Sequence, residues 1–270
     1  IFSPFYENYA VGLHLLDAQP VYVHLRPPDF QIDREALRQE FKQGAKAIIV
    51  CNPANPSGKV FTEEELRFIG GLAQEFDAYL ITDEVYEHII FPPHRHVYAA
   101  ALPGMFERTI TCGSLSKTYA ITGWRLGTVI ASEEITEQIR LLHDYITLGA
   151  PAPLQTAAIS ALDFPDEYYA EIARQYTEMR DIFLDYLAKS GFGYIPPQGT
   201  YFVLADITPF GFEDDRQFCY WMTREVGVSA VPGSSFFAEP VHHLVRFNFA
   251  KRPETLHEAG QRLLEIPKLR

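Results

Sequence analysis

Cysteine is scarce in this sequence of 270 residues. The three cysteines, Cys51, Cys112 and Cys219, are an odd number, lie far apart along the chain and stand in apolar surroundings. This pattern excludes a disulfide framework and a zinc site built from closely spaced ligands. A reducing, cytoplasmic location is therefore the expected one.

Long hydrophobic runs and positive charge are also lacking. No apolar run approaches the roughly 20 residues that span a bilayer, and no secretion signal stands at the start. Lys and Arg number 23 against 35 Asp and Glu, which gives a formal net charge of −12. This acidic balance argues against nucleic acid or an anionic membrane as a partner.

The chain has no initiating methionine, and its first residues, from Ile1 onward, resemble an element already under way. We therefore expect its first domain to be N-terminally incomplete. A hydrophobic content of 47% with 14% aromatic residues predicts a packed globular protein. The length allows one large domain or two ordinary ones.

Strand patterns alternate with helical patterns through the first part of the sequence. Apolar runs predict strands at residues 20–25, 45–51, 78–82, 109–112 and 126–131. Asp33 is a predicted helix cap, Thr62 with Glu65 forms a predicted capping box, and another helix is expected over 133–147. Such alternation predicts an α/β fold with a mostly parallel sheet sandwiched by helices.

The pattern changes in the second part. Residues 133–189 are mostly helical, with a long helix over 168–187. Strand-like runs then occur at 201–205 and 244–249, and helical stretches at about 214–226 and 254–265. We therefore predict a large domain over residues 1–160 and a smaller α+β C-terminal domain over 161–270.

Three polar side chains follow predicted strand ends: Asn55, Asp83 and Lys117. In parallel sheets the ligand crevice lies at the carboxyl ends of the strands, so these side chains are expected to converge. A lysine in such a place can act as an imine-forming amine, and the nearby Arg125 and serine hydroxyls could hold a phosphate. The alternative for Lys117 is a solvated surface lysine.

Four motifs in order resemble the class I and II aminotransferases, the pyridoxal-phosphate enzymes of the aspartate-aminotransferase fold. They are NPANPSG at 52–58, DEVY at 83–86, SLSK at 114–117 followed by Arg125, and VRFNF at 245–249. The resemblance covers essentially the whole chain. The opening PFY and the NPANP loop are most similar to the branch of kynurenine, glutamine-phenylpyruvate and methionine aminotransferases.

The resemblance implies pyridoxal 5′-phosphate as the cofactor, bound to Lys117 as a Schiff base. Lys117 would also move the proton at the substrate α-carbon. Asp83 would pair with the pyridine nitrogen, and Asn55 and Tyr86 would hydrogen-bond the phenolic oxygen. The catalytic residues implied are thus Lys117, Asp83 and Tyr86.

The resemblance further implies that Ser114 and Arg125 bind the phosphate and that Tyr6 stacks on the cofactor ring. Arg246 would bind the substrate α-carboxylate, with Asn55 and Tyr201 beside the substrate. Each residue also has a structural alternative: a loop or cap acid for Asp83, a turn residue for Asn55, a core aromatic for the tyrosines, and an ion pair or stacking for the arginines.

The expected reaction transfers an amino group from an α-amino acid to a 2-oxo acid. No arginine occurs at residues 145–150, where aspartate-specific relatives carry one, so we expect an apolar, aromatic or sulfur-containing substrate. A carbon–sulfur β-lyase and the effector domain of a transcription regulator are the alternatives on the same fold. The resemblance also implies a homodimer with shared active sites.

Overall fold

The structure, a computed structural model, describes residues 1–266. Its strands, numbered in chain order, are Phe2–Ser3 (β1), Val23–His24 (β2), Ala47–Cys51 (β3), Tyr79–Asp83 (β4), Thr109–Ser114 (β5), Gly127–Ile130 (β6), Gly193–Ile195 (β7), Phe202–Asp206 (β8), Val231–Pro232 (β9) and Leu244–Asn248 (β10). Its α-helices are Asn8–Leu15 (α1), Arg34–Lys42 (α2), Glu63–Glu75 (α3), Leu115–Thr118 (α4), Glu133–Thr147 (α5), Ala152–Leu162 (α6), Asp166–Lys189 (α7), Asp215–Trp221 (α8) and Pro253–Leu263 (α9). None of these helices is both long and apolar enough to cross a bilayer.

The larger part of the fold is built on a sheet of order β3-β4-β5-β6. The first three strands are parallel, and β6 runs antiparallel to β5. Apolar side chains such as Ile48, Val50 and Leu80 are buried in the cluster to which helices α2 and α3 contribute, whereas β6 is exposed along its length. The predicted α/β class with a mostly parallel sheet is confirmed.

A second sheet of order β7-β8-β10-β9 is antiparallel throughout. Helices α7, α8 and α9 supply buried side chains to the apolar cluster that packs on it. This agrees with the predicted α+β character of the second part. The division at residue 160 falls within α6 and stays a prediction, and residues 267–270 of the predicted second domain lie outside the described residues.

The segment after β4 packs into the core of the second sheet. Tyr86, Ile89 and Phe91 belong to the apolar cluster formed mainly by residues 172–266. In return, Leu204 and Phe236 belong to the cluster around the first sheet. The carboxyl edge of the first sheet therefore faces the second sheet directly.

Several predicted boundaries differ from those observed. The strand expected at 20–25 is limited to Val23–His24, which pairs only with Phe2–Ser3. The helical stretch near 214–226 is α8 followed by a π-helical turn at Met222–Val226. That turn ends at Gly227, whose φ of +75° is a left-handed conformation that favours glycine.

The capping box of α3 is observed as predicted. Thr62 Oγ1 accepts from the Glu65 amide at 3.2 Å, and Glu65 Oε2 accepts from the Thr62 amide at 2.9 Å. The Glu65 carboxylate also pairs with the buried Lys59 ammonium at 2.8 Å. Helix α3 therefore begins with the Thr62 and Glu65 amides both hydrogen-bonded.

Replacing Thr62 with alanine should lower the free energy of unfolding by about 1 kcal/mol, because one capping hydrogen bond is lost. Ser132→Ala is the matched control, since Ser132 caps α5 without a side-chain hydrogen bond. Chemical denaturation of the two variants measures the difference. Equal losses would show that the observed cap hydrogen bond contributes nothing to stability.

Candidate active site

Asp83 ends β4 at the carboxyl edge of the first sheet. Its register partners are Cys51 on β3 and Cys112 on β5. Tyr9 donates its hydroxyl to Asp83 Oδ2 at 2.5 Å, and the Val85 amide donates to Oδ1 at 3.3 Å. Burial raises the pKa of the Asp83 carboxyl, while these hydrogen bonds oppose the rise.

Lys117 lies on the one-turn helix α4, directly after β5. Ser114 caps this helix, since its Oγ accepts from the Ser116 amide at 3.1 Å. The ammonium is close enough to Asp83 for its charge to lower the pKa of that carboxyl. Lys117 Nζ also lies 5.9 Å from the centre of the Tyr201 ring. The lysine therefore faces both the sheet edge and the second sheet.

Two tyrosines form the wall between Lys117 and the second sheet. The rings of Tyr86 and Tyr201 meet edge to face, with centroids 5.3 Å apart. Tyr86 is buried, and burial together with the neighbouring Tyr201 raises the pKa of its phenol. The Tyr86 phenol is therefore a neutral hydrogen-bonding group at neutral pH.

The loop that carries Asn55 packs closely against the loop before Tyr201. The amides of Gln198 and Gly199 both donate to the Gly58 carbonyl at 2.9 Å. Gly58 has a φ of +71°, and a Cβ placed there would lie 2.5 Å from the Cβ of Pro197. A glycine is required at this contact because a side chain would separate the two loops.

Arg246 joins the Asn55 loop to β10 of the second sheet. Its Nη1 donates to Asn55 Oδ1 at 2.6 Å, and its Cζ lies 4.0 Å and 4.2 Å from the ring centres of Phe202 and Phe236. Nε is buried and has no hydrogen-bond partner. Burial lowers the pKa of the guanidinium. Asn55 is the hydrogen-bond acceptor described for Arg246 within residues 1–266, and the Glu7 carboxylate is close enough to raise the pKa of the guanidinium electrostatically.

Tyr6 lies on the opposite side of this cleft, just before α1. It is half-buried, and its ring meets Tyr9 edge to face at 5.7 Å. It is close enough to Arg246 to act on the guanidinium electrostatically. A ring face in this position is available to a planar ligand.

The two predicted phosphate ligands lie near the start of α4. Ser114 Oγ also contacts the Leu126 carbonyl at 3.3 Å. Arg125 is exposed, has a left-handed φ of +56°, and donates to the Thr122 carbonyl at 2.9 Å. Within residues 1–266 the hydrogen bonds described for Ser114 and Arg125 are local and do not reach another predicted site residue. Contacts among Asn55 and Arg246, and among Lys117, Tyr86 and Tyr201, line the cleft between the two sheets.

Tyr9 was not among the predicted site residues. Helix α1 has no buried residues and no apolar stripe, so periodicity did not indicate a helix there. Had the helix been recognised, the spacing of three from Tyr6 would have placed Tyr9 on the same face. Phe236 was missed because a phenylalanine alone carries no signal for cation contact.

The family model "Aminotransferase class I and II" matches residues 1–263 of the chain. Methionine aminotransferase of Escherichia coli (strain K12) is 34% identical over 266 residues, covering 98% of this chain and 69% of the relative. Human kynurenine–oxoglutarate transaminase 1 is 32% identical over 296 residues, covering 97% and 70%.

Solved structures of aminotransferases also match this chain. The structure of N-succinyldiaminopimelate aminotransferase from Mycobacterium tuberculosis superimposes with a TM-score of 0.94 at 37% identity, covering 98% of this chain and 70% of that one. The comparison supports the aspartate-aminotransferase fold expected from the four motifs. The chain belongs to the class I and II aminotransferases.

Proposed function

We propose that this aminotransferase moves the amino group of an apolar, aromatic or sulfur-containing α-amino acid to a 2-oxo acid, with Lys117 as the reacting amine. The observation that carries this proposal is Arg246. Its side chain is half-buried, its Nε is buried without a hydrogen-bond partner, and Glu7 is close enough to raise its pKa electrostatically. Within the described residues it has no hydrogen bond to a negative charge. A substrate α-carboxylate would supply that charge bidentately.

The donor set of the cleft fits pyridoxal 5′-phosphate. A buried carboxylate (Asp83) faces an amine (Lys117), as a cationic ring nitrogen and an imine-forming carbonyl require. When bound, the cofactor supplies the electron sink for a carbanion at the substrate α-carbon. We assign the ring nitrogen to Asp83, the phenolic oxygen to Asn55 and Tyr86, and the ring face to Tyr6; the phosphate falls to Ser114 and Arg125.

Lys117 is the proposed proton carrier. Its neutral amine would be a base already held beside the substrate α-carbon, so proton transfer would need no diffusional encounter. The short helix α4 fixes the lysine backbone through the Ser114 cap. The Tyr201 ring, packed edge to face on Tyr86, lies 5.9 Å from the amine and bounds the cleft on that side.

The substrate class is inferred from the cleft lining and from the relatives. The aromatic side chains Tyr6, Tyr86, Tyr201 and Phe236 favour an apolar or aromatic substrate side chain. No arginine occurs at 145–150 to bind a second carboxylate. Relatives named for methionine and kynurenine support the same class.

A homodimer is the proposed assembly. Helix α5 and the residues after it carry large apolar side chains in solvent, among them Tyr145 at 83%, Ile146 at 81% and Leu148 at 84% exposure. A contiguous patch of this kind marks an interface, and we propose a second copy as its partner. Ile146→Glu should shift the species measured by light scattering from dimer to monomer. Arg140→Glu, at another exposed position on α5, is the charge control and should leave the dimer intact. A monomeric parent chain would contradict the proposal.

Amino transfer is tested with the purified chain, pyridoxal 5′-phosphate and a panel of amino acids paired with 2-oxoglutarate. The panel should include methionine, phenylalanine, kynurenine, aspartate and N-succinyldiaminopimelate. We expect glutamate to form, fastest with the first three. Pyruvate from a cysteine conjugate without glutamate formation would contradict the proposal and favour a β-lyase.

A further inference from the structure

The shortest polar contact in the cleft is made by a residue with no role in the proposed chemistry. Tyr9 Oη lies 2.5 Å from Asp83 Oδ2, across 74 residues of sequence. Burial raises the pKa of the Tyr9 phenol, so the hydroxyl keeps its proton and donates it to the carboxylate. The contact is thus a charge-assisted hydrogen bond with a fixed direction.

The Cys51 thiol also contacts the Tyr9 hydroxyl. It is buried and donates to the Pro53 carbonyl at 3.2 Å. The thiol and the Tyr9 phenol therefore both lie beside the Asp83 carboxyl.

The titratable groups that face Asp83 come from four elements and from the segment after β4. They are Tyr9 on α1, Cys51 on β3, Cys112 on β5, Lys117 on α4, and Glu84 with Tyr86 directly after β4. Of these, only Tyr9 and Lys117 favour the ionised carboxyl, whereas Glu84 opposes it. In the proposed reaction Lys117 changes its charge, so Tyr9 is the group that stabilises the ionised carboxyl throughout.

We propose that Tyr9 is a positioning residue that keeps the Asp83 carboxylate ionised and turned toward the place of the cofactor ring nitrogen. The inference rests on the proposed function for the identity of the group that Asp83 meets. The proposal assigns different roles to the two carboxylate oxygens of Asp83. With Oδ2 held by the phenol, and Oδ1 only weakly held by the Val85 amide at 3.3 Å, Oδ1 is the oxygen free to accept from a ring N–H.

A purely structural role is the competing explanation. Tyr9 could simply attach α1 to the sheet, in which case its loss would loosen the helix without changing the ionisation of Asp83. The two explanations differ in whether the effect of removing the Tyr9 hydroxyl depends on an ionisable carboxyl at residue 83. A positioning role requires that the effect of losing the hydroxyl disappears when residue 83 no longer ionises.

The first test is a carbon-13 NMR titration of the Asp83 carboxyl in the chain without cofactor. Tyr9→Phe should raise the pKa of Asp83 by about one to two pH units, as expected for the loss of one hydrogen bond to a charged group. Tyr22→Phe is the control, since that ring stacks on Phe5 outside the cleft. An unchanged Asp83 pKa in Tyr9→Phe overturns the inference and leaves the proposed function untouched.

The second test is pyridoxal 5′-phosphate binding in a double-mutant cycle. Tyr9→Phe should raise the dissociation constant about tenfold in the parent and leave it unchanged in an Asp83→Asn background. Equal losses in both backgrounds assign Tyr9 a structural role and overturn the proposal. Absence of amino transfer by the parent chain would instead overturn the proposed function.

A third variant keeps the proposal testable should Tyr9→Phe fail to fold. Site-specific 3-fluorotyrosine at position 9 retains the ring and the hydroxyl but makes the phenol a stronger donor. The Asp83 pKa should then fall below that of the parent, opposite to the phenylalanine variant. A rise, or no change, would contradict the proposal.

Discussion

Lys117→Ala should lower kcat for amino transfer by about 10²- to 10⁴-fold, because the proton at the substrate α-carbon loses its only positioned base. Pyridoxal 5′-phosphate should still bind, since the residues assigned to its ring and phosphate remain. Absorbance and equilibrium dialysis measure binding, and glutamate formation measures turnover. The two readouts separate loss of chemistry from loss of cofactor.

Lys42→Ala is the matched control, because Lys42 is an exposed lysine at the end of α2, remote from the cleft. It should retain full turnover. Added methylamine should restore part of the activity of Lys117→Ala, since a small amine can enter the space left by the side chain and accept the proton. Turnover of Lys117→Ala within about threefold of the parent would refute the assigned role.

Arg246→Lys should lower kcat/KM for amino acids by about 10- to 100-fold, because an ammonium cannot bind a carboxylate through two parallel hydrogen bonds. The loss should appear mainly in KM, since the carboxylate is bound alike in the ground state and the transition state.

Substrate comparison sharpens this prediction. The ratio of activity on phenylalanine to activity on phenethylamine, which lacks the carboxylate, should fall in Arg246→Lys. Arg216→Lys, at an exposed position on α8, is the control and should leave that ratio unchanged. An equal loss with both substrates would show that Arg246 supports the cleft without binding the carboxylate.

The site residues that could be predicted from sequence without the family resemblance were those that directly follow predicted strands. Asp83 and Lys117 follow apolar strand runs, and parallel strands bring their carboxyl ends to one edge, so their convergence was predictable. The contact between Asn55 and Arg246 spans 191 residues and joins two different sheets. No local pattern encodes such a contact, and only the resemblance to a family related the two motifs.

Other features could not be predicted because tertiary packing decides them. The strand expected at 20–25 begins at Pro20, which has no amide hydrogen for a ladder. Regular pairing is limited to Val23–His24, although the Leu25 amide also donates to the Ser3 carbonyl at 2.7 Å. Helix α1 was not expected because it buries no residue and shows no apolar stripe. Tyr9 lies on that helix, so its contact with Asp83 could not be predicted for the same reason.

The position of the covalently bound cofactor tests the central claim most directly. Treating the cofactor-loaded chain with sodium borohydride should fix a pyridoxyl group on Nζ of Lys117, and peptide mass spectrometry should find that group on the peptide containing residues 114–117. Pyridoxylation of another lysine, or of none while cofactor is bound, would contradict the account.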